Sequence, residues 1–301
     1  MKYVKFNTFD KSVLQCYLWD DVRYPKAVVQ IVHGMAEHAR RYDDFAAFLN
    51  KNGFLVFADD HRAHGNSVKK GGLGYAEGDV FEDTVKDEIF ITDYLAETYK
   101  LPVVVVGHSY GSFLTQRYIE CDGKAAGVLL SGSACMAGAL LNVGNTIANC
   151  QSKIFDGKKK AKLLDGMSVG GYDKKFKKEK TKFAWLSRDT AVGKKYFFDE
   201  HCGFTMSIAF YKSFFNGLKT VYQPENLAKI AKDQKLAIFS GTADPVGGKN
   251  AVLVKKLYEQ YKALGLSPAL KLYDNARHEI LNETNKSEVY ADFLAAIDSM
   301  V

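Results

Sequence analysis

Proline is scarce in this 301-residue chain, with only five, and cysteine numbers five as well. Few prolines and 25 glycines spread without a period exclude collagen-like and low-complexity architectures. The cysteine count is odd and no CxxC occurs, which argues against a disulfide framework and against a zinc-thiolate knuckle. No run of 18 apolar residues is present, so no bilayer-spanning helix is expected. The first residues, MKYVKFNTFDKSVLQCYLW, lack the apolar core of a signal peptide, so a cytoplasmic location is expected. GxGxxG, GxxxxGK[ST] and HExxH are all missing, which removes the usual sequence grounds for a dinucleotide, a phosphate loop or a zinc hydrolase.

What is present suits a large folded unit. Hydrophobic residues make up 47% of the chain, enough to argue against global disorder. At this length a fold buries roughly three quarters of the unfolded surface and needs no staples. The net charge of +6 is local. Between Lys158 and Lys182 stand ten lysines against three acids, a net of +7, so the remainder of the chain sums to −1. No recognisable nucleic-acid motif accompanies these lysines, and no nucleic-acid partner is expected. They read as a solvated surface that can also be drawn to an anionic membrane.

Short runs rich in β-branched residues alternate with helical patterns. Ala27–Val32, Phe54–Ala58, Val103–Val106, Gly127–Leu130, Lys235–Ser240 and Ala269–Tyr273 read as strands apolar on both faces, as in the interior of a mostly parallel sheet. Tyr42–Asn50, Val80–Thr98, Asn250–Leu264 and Tyr290–Ile297 carry the 3.6-residue apolar period of covering helices. The alternation predicts an open α/β sheet. It breaks between residues 133 and 219, which hold scattered aromatics, the lysines and short helical pieces but no strand run. We expect a mainly helical cap there, inserted into a core formed by residues 1–132 and 220–301.

The chemistry concentrates in three places. Gly107-His108-Ser109-Tyr110-Gly111 is a GxSxG lying directly between a strand and a helical pattern. This context is what a nucleophile elbow requires: the turn lifts the serine hydroxyl above the sheet, and side chains at either glycine would collide with the neighbouring strand and helix. A serine needs a general base, and an acid to orient that base. Two later strands end in Asp244 and in the segment holding His278, which places both at the same sheet edge as Ser109. His201, inside the insertion, is a poorer base, and Asp233 and Asp274 are rivals to Asp244. After the strand Ala27–Val32, the segment His33-Gly34-Met35 forms a loop that can set the Met35 amide opposite that of Tyr110, two donors suited to an oxyanion. His33 reads as a brace for that loop. His61 and His64 read as parts of a structured turn; their spacing fits no common zinc site, and no metal or organic cofactor is expected.

HGMAEHARRY (33–42), DHRAHGNS (60–67), GHSYGS (107–112), SGTADPVG (240–247) and ARHEILNE (276–283) resemble the monoacylglycerol lipase and lysophospholipase branch of the α/β-hydrolase superfamily. FAWLSRD (183–189) and CGFTMSIAFY (202–211) are similar to cap segments of its bacterial members. The resemblance runs through nearly the whole chain. It implies Ser109, Asp244 and His278 as the triad, Met35 and Tyr110 as oxyanion donors, and a lipid-like monoester substrate. A serine peptidase or amidase, and a non-catalytic binder on the same fold, are the alternatives. Two positions depart from the pattern: Tyr110 stands where methionine is usual and Ala63 where glycine is common. A tyrosine there implies a bulky, partly polar ring beside the nucleophile.

Overall fold

The architecture comes from a computed structural model that describes residues 1–68, 72–121, 123–179 and 181–301. Eight strands form one mixed sheet: β1 (Lys2–Asn7), β2 (Val13–Trp19), β3 (Ala27–Val32), β4 (Phe54–Asp59), β5 (Val103–His108), β6 (Gly127–Ser131), β7 (Leu236–Gly241) and β8 (Ala269–Tyr273). Their spatial order is β1-β2-β4-β3-β5-β6-β7-β8, antiparallel at the β1 end and parallel from β4 to β8. This is the α/β-hydrolase fold. The six strands expected from the sequence are all present. The hairpin β1–β2 is additional, and its alternation is weak because β1 is largely exposed. Ala269–Tyr273 is not an interior strand: β8 forms the far edge and is only partly buried.

Ten α-helices are found among the described residues. On the sheet lie α1 (Asp43–Lys51), α2 (Val80–Tyr99), α3 (Tyr110–Glu120), α9 (Val252–Ala263) and α10 (Lys286–Asp298). Between β6 and β7 the chain passes through α4 (Ala139–Ile154), α5 (Lys162–Met167), α6 (Thr190–Phe198), α7 (Ile208–Val221) and α8 (Pro224–Leu227). Among the described residues no helix is long and apolar enough to cross a membrane.

The strand interiors explain the sheet. Val103 to Val106 are all buried, and each valine kept from water contributes about 1.5–3 kcal/mol. Alternate residues feed opposite faces. Val104 and Val106 meet Phe45, Leu49 and Phe293 of α1 and α10, whereas Val105 joins Leu114 of α3. The second face is continuous with the helices between β6 and β7. Val105, Leu130, Phe81 and Tyr110 share one apolar cluster with Leu141, Leu164, Trp185, Met206 and Phe210. These helices therefore close over the sheet's own core rather than around a separate one.

Candidate active site

The strand-to-helix turn after β5 carries Ser109 at φ 52° and ψ −117°, a backbone conformation rare for a residue with a side chain. Strain of this kind amounts to about 1–3 kcal/mol and persists only where the surroundings fix it. Here the Ser109 amide donates to the Ser131 carbonyl at 2.9 Å, and the Ser109 carbonyl accepts from the amides of Ser112 and Phe113. The flanking glycines are obligatory. A Cβ on Gly111 would lie 2.0 Å from the Val32 carbonyl oxygen, and one on Gly107 would lie 2.6 Å from that of Gly111 and 2.3 Å from Thr115 Oγ1. The collisions with strand and helix expected from the sequence are therefore present.

Asp244 and His278 project from the ends of β7 and β8. His278 Nδ1 and Asp244 Oδ2 are 2.9 Å apart, and both side chains are buried. Asp244 Oδ1 accepts from the Val246 amide at 2.8 Å, so the carboxylate has a fixed orientation. Burial opposes a charge on His278, yet the Asp244 carboxylate overrides it and holds the imidazole above its ordinary range. Ser109 and His278 line one narrow cavity together with Gly34, Met35, Glu37, Val169, Trp185, Leu186 and Glu279. Asp274 is exposed and pairs with Thr242, Asp233 is exposed, and His201 lies with Asp199. None of the three rivals lines this cavity.

The loop after β3 passes close to the serine: a Cβ on Gly34 would stand 3.3 Å from Ser109 Cβ. Among the described residues neither the Met35 amide nor the Tyr110 amide donates to a protein acceptor. Tyr110 opens α3, where the first amides have no intrahelical partner and the helix dipole favours negative charge. The Tyr110 ring does not flank the nucleophile, contrary to what the sequence implies. It is buried against Phe210 and Phe214, with centroids 5.2 and 5.5 Å away, and is not among the residues lining the Ser109 cavity. Ala63 sits at φ 69°, in the left-handed region, which explains why glycine is common there.

Three histidines brace the loop from beneath. His33 Nδ1 donates to the Gly34 carbonyl at 2.8 Å, so its Nε2 is free to accept from the His61 amide at 3.1 Å. His61 faces acceptors at both nitrogens: Nδ1 meets Asp59 Oδ2 at 2.9 Å and Glu88 Oε1 at 3.2 Å, and Nε2 meets the His33 carbonyl at 3.2 Å. A ring surrounded in this way is drawn toward its charged form. Burial works against that charge, and Asp59 with Glu88 outweighs it, raising the pKa well above the ordinary value. Asp59, His61 and Glu88 also lie close enough together to enclose an ion. His64 packs edge-on to His33, and burial lowers its pKa to about 3. The contacts of His33 agree with its reading as a brace for the loop, and His61 and His64 lie in the turn after β4.

Trp185 is one of the apolar residues of the 133–219 insertion that the sequence offers to the site, whereas the charged wall of the cavity was not anticipated. Trp185, from the segment between α5 and α6, covers the His278 ring at 4.8 Å, and the amides of His278 and Glu279 donate to the carbonyls of Trp185 and Leu186. The cavity also has a charged wall. Arg41 donates to both oxygens of Glu279, at 2.6 and 2.7 Å, and to Glu37, whose Oε1 accepts from the Gly34 amide at 2.6 Å. Burial disfavours charge on Glu279, but the Arg41 guanidinium holds its carboxyl below the usual range. The four-residue spacing of Glu37 and Arg41 was a visible signal. Nothing local tied either of them to Glu279.

The sequence matches the family described as "Serine aminopeptidase, S33" over residues 23–285, and the chain belongs to that family of α/β-hydrolases. Among curated relatives it is similar to the human monoglyceride lipase, with 27% identity covering 91% of this chain and 82% of that protein. A monoglyceride lipase homolog of Monkeypox virus is 36% identical over a shorter stretch, 35% of this chain and 37% of the viral protein. Among solved structures, one described as "Lipase (Open form)" superposes with a TM-score of 0.88 at 25% identity, covering 99% of this chain and 98% of that one. The chain is thus an α/β-hydrolase related to monoacylglycerol lipases and esterases.

Proposed function

We propose that the protein is a serine hydrolase that cleaves lipid-like carboxylic monoesters, a monoacylglycerol or a lysophospholipid, through an acyl-enzyme. Ser109 Oγ attacks the ester carbonyl while His278 takes its proton, and Asp244 keeps the imidazole in the productive tautomer. The Met35 and Tyr110 amides receive the oxyanion. His278 then protonates the departing alcohol, and water activated by the same base releases the acid. Residues 133–219 act as the cap, presenting Val169, Trp185 and Leu186 over the serine.

The observation that carries this reading is the two-sided cavity. One wall is polar, formed by Glu37 and Glu279 with their carboxylates held by Arg41. The other is apolar and shares Met35, Val169 and Trp185 with a neighbouring cleft that continues to Phe183, Phe204 and Met206. An acyl chain gains about 0.8 kcal/mol for each methylene buried along such a surface.

A peptidase reading has one observation of its own. Asp165 and Asp173 also line the neighbouring cleft, and a carboxylate there could receive a free amino group. Asp173 is already engaged by the amides of Phe183 and Trp185, which leaves Asp165. A hydrolysis panel separates the two readings. Long-chain monoacylglycerols or lysophospholipids should be cleaved with a kcat/KM at least tenfold above short nitrophenyl esters, and aminoacyl-nitroanilides should not be cleaved. Turnover of the anilides alone would reverse the assignment.

We also propose that the cap touches anionic lipid surfaces. Nine lysines of the 158–182 stretch are exposed; the tenth, Lys180, lies outside the described residues. Beside them α4 turns Leu140, Val143 and Ile154 outward, the first and last being 73% exposed.

A further inference from the structure

A cluster of metal-type donors lies away from Ser109, where the loop after β3 meets the segment after α6. His38 ends that loop. Asp199 caps α6, and a tight turn follows in which the Cys202 amide donates to the Asp199 carbonyl at 3.0 Å. The turn returns Cys202 toward the carboxylate, so that a His38 ring nitrogen, an Asp199 oxygen and the Cys202 sulfur all lie within 4.8 Å of one another. His38 Nε2 and Asp199 Oδ2 are already 2.9 Å apart. His201 belongs to the same turn; its Nδ1 is 3.9 Å from Asp199 Oδ1 and its ring 5.9 Å from that of His38.

We propose that His38, Asp199 and Cys202 bind a divalent cation of the zinc class, with His201 or water as the fourth ligand. The donor set of one imidazole, one carboxylate and one thiolate is borderline-soft, which suits zinc and disfavours magnesium or calcium. A tetrahedral zinc ion with bonds of about 2.0–2.3 Å sets its ligand atoms roughly 3.3–3.6 Å apart. The three donors therefore need only small side-chain rotations to close on it. The ion has a way in: His38 and Asp199 face an open groove lined by charges of both signs, Asp43, Asp44 and Asp189 with Arg40, Lys195 and Lys286.

The position gives the ion a consequence. His38 is three residues from Met35, and Cys202 adjoins Gly203, whose amide donates to the Ala36 carbonyl at 2.9 Å. The same carbonyl accepts from the Tyr196 hydroxyl of α6 at 2.7 Å. A bound ion would fasten the α6 side of the cap to the loop carrying the Met35 amide.

Cobalt(II) is the probe. Titrated into the protein, it should give a one-to-one thiolate-to-metal charge-transfer band that zinc bleaches. Cys202→Ser should abolish the band, His38→Gln should weaken cobalt binding at least tenfold, and Cys150→Ser, which removes an exposed thiol, should leave the band intact. No band, or a band surviving Cys202→Ser, overturns the proposal. X-ray absorption on the zinc-loaded parent requires no variant to fold. One sulfur beside nitrogen and oxygen neighbours supports the site, and nitrogen and oxygen alone refute it.

Discussion

At the scale of single residues, the site depends on groups whose surroundings leave them little freedom. Asp244 holds His278 through one oxygen and is itself held through the other, so a change at Asp244 disturbs the tautomer rather than the fold. Asp244→Asn should lower kcat by about 10⁴-fold with Tm nearly unchanged, while Asp274→Asn, at an exposed position, should leave kcat as it is. Equal turnover by Asp244→Asn and the parent on one ester would remove Asp244 from the triad. The sign of the His278 shift gives a second expectation. The base acts only when neutral, and a raised pKa keeps it protonated to higher pH. The acid limb of kcat/KM should therefore fall above the ordinary histidine value of 6.5. A limb at or below 6.5 would contradict the Asp244–His278 pairing described here.

At the scale of elements, most of the sheet and the turns carrying Ser109, Asp244 and His278 were legible because their signals are local. Val103–Val106 followed by GHSYG carries strand, turn and helix in one stretch, and Asp244 and His278 each follow a strand run. The antiparallel β1–β2 pair was not legible, since β1 is mostly solvated and lacks an apolar pattern. Trp185 on His278 and Glu279 on Arg41 join segments far apart in the chain, so only folding reveals them. The same holds for Arg277, which donates to the carbonyls of Ala184 and Ser187 and pairs with Glu179, latching the segment between α5 and α6 to the His278 loop. The outward side of α4 and the neighbouring lysines make a prediction at this scale. Reversing Lys158, Lys159 and Lys162 to glutamate should weaken co-sedimentation with anionic vesicles at low salt, and hydrolysis of a soluble short ester should not change. Parent-like sedimentation at low salt would reduce these lysines to a solvated surface.

At the scale of the whole molecule, the helices between β6 and β7 pack directly on the sheet. Their apolar residues form a continuous cluster, and Ser109, Met35, Trp185 and His278 meet at the seam. The strained turn at Ser109, the paired Asp244 and His278 and the free Met35 and Tyr110 amides are the features that the proposed role of Ser109 as nucleophile requires. The most direct measurement is mass spectrometry of the intact and digested protein after reaction with a fluorophosphonate. One adduct per chain is predicted, located on Ser109, with none formed in Ser109→Ala. An adduct on another residue, or an unmodified Ser109 in a folded protein, would contradict the account.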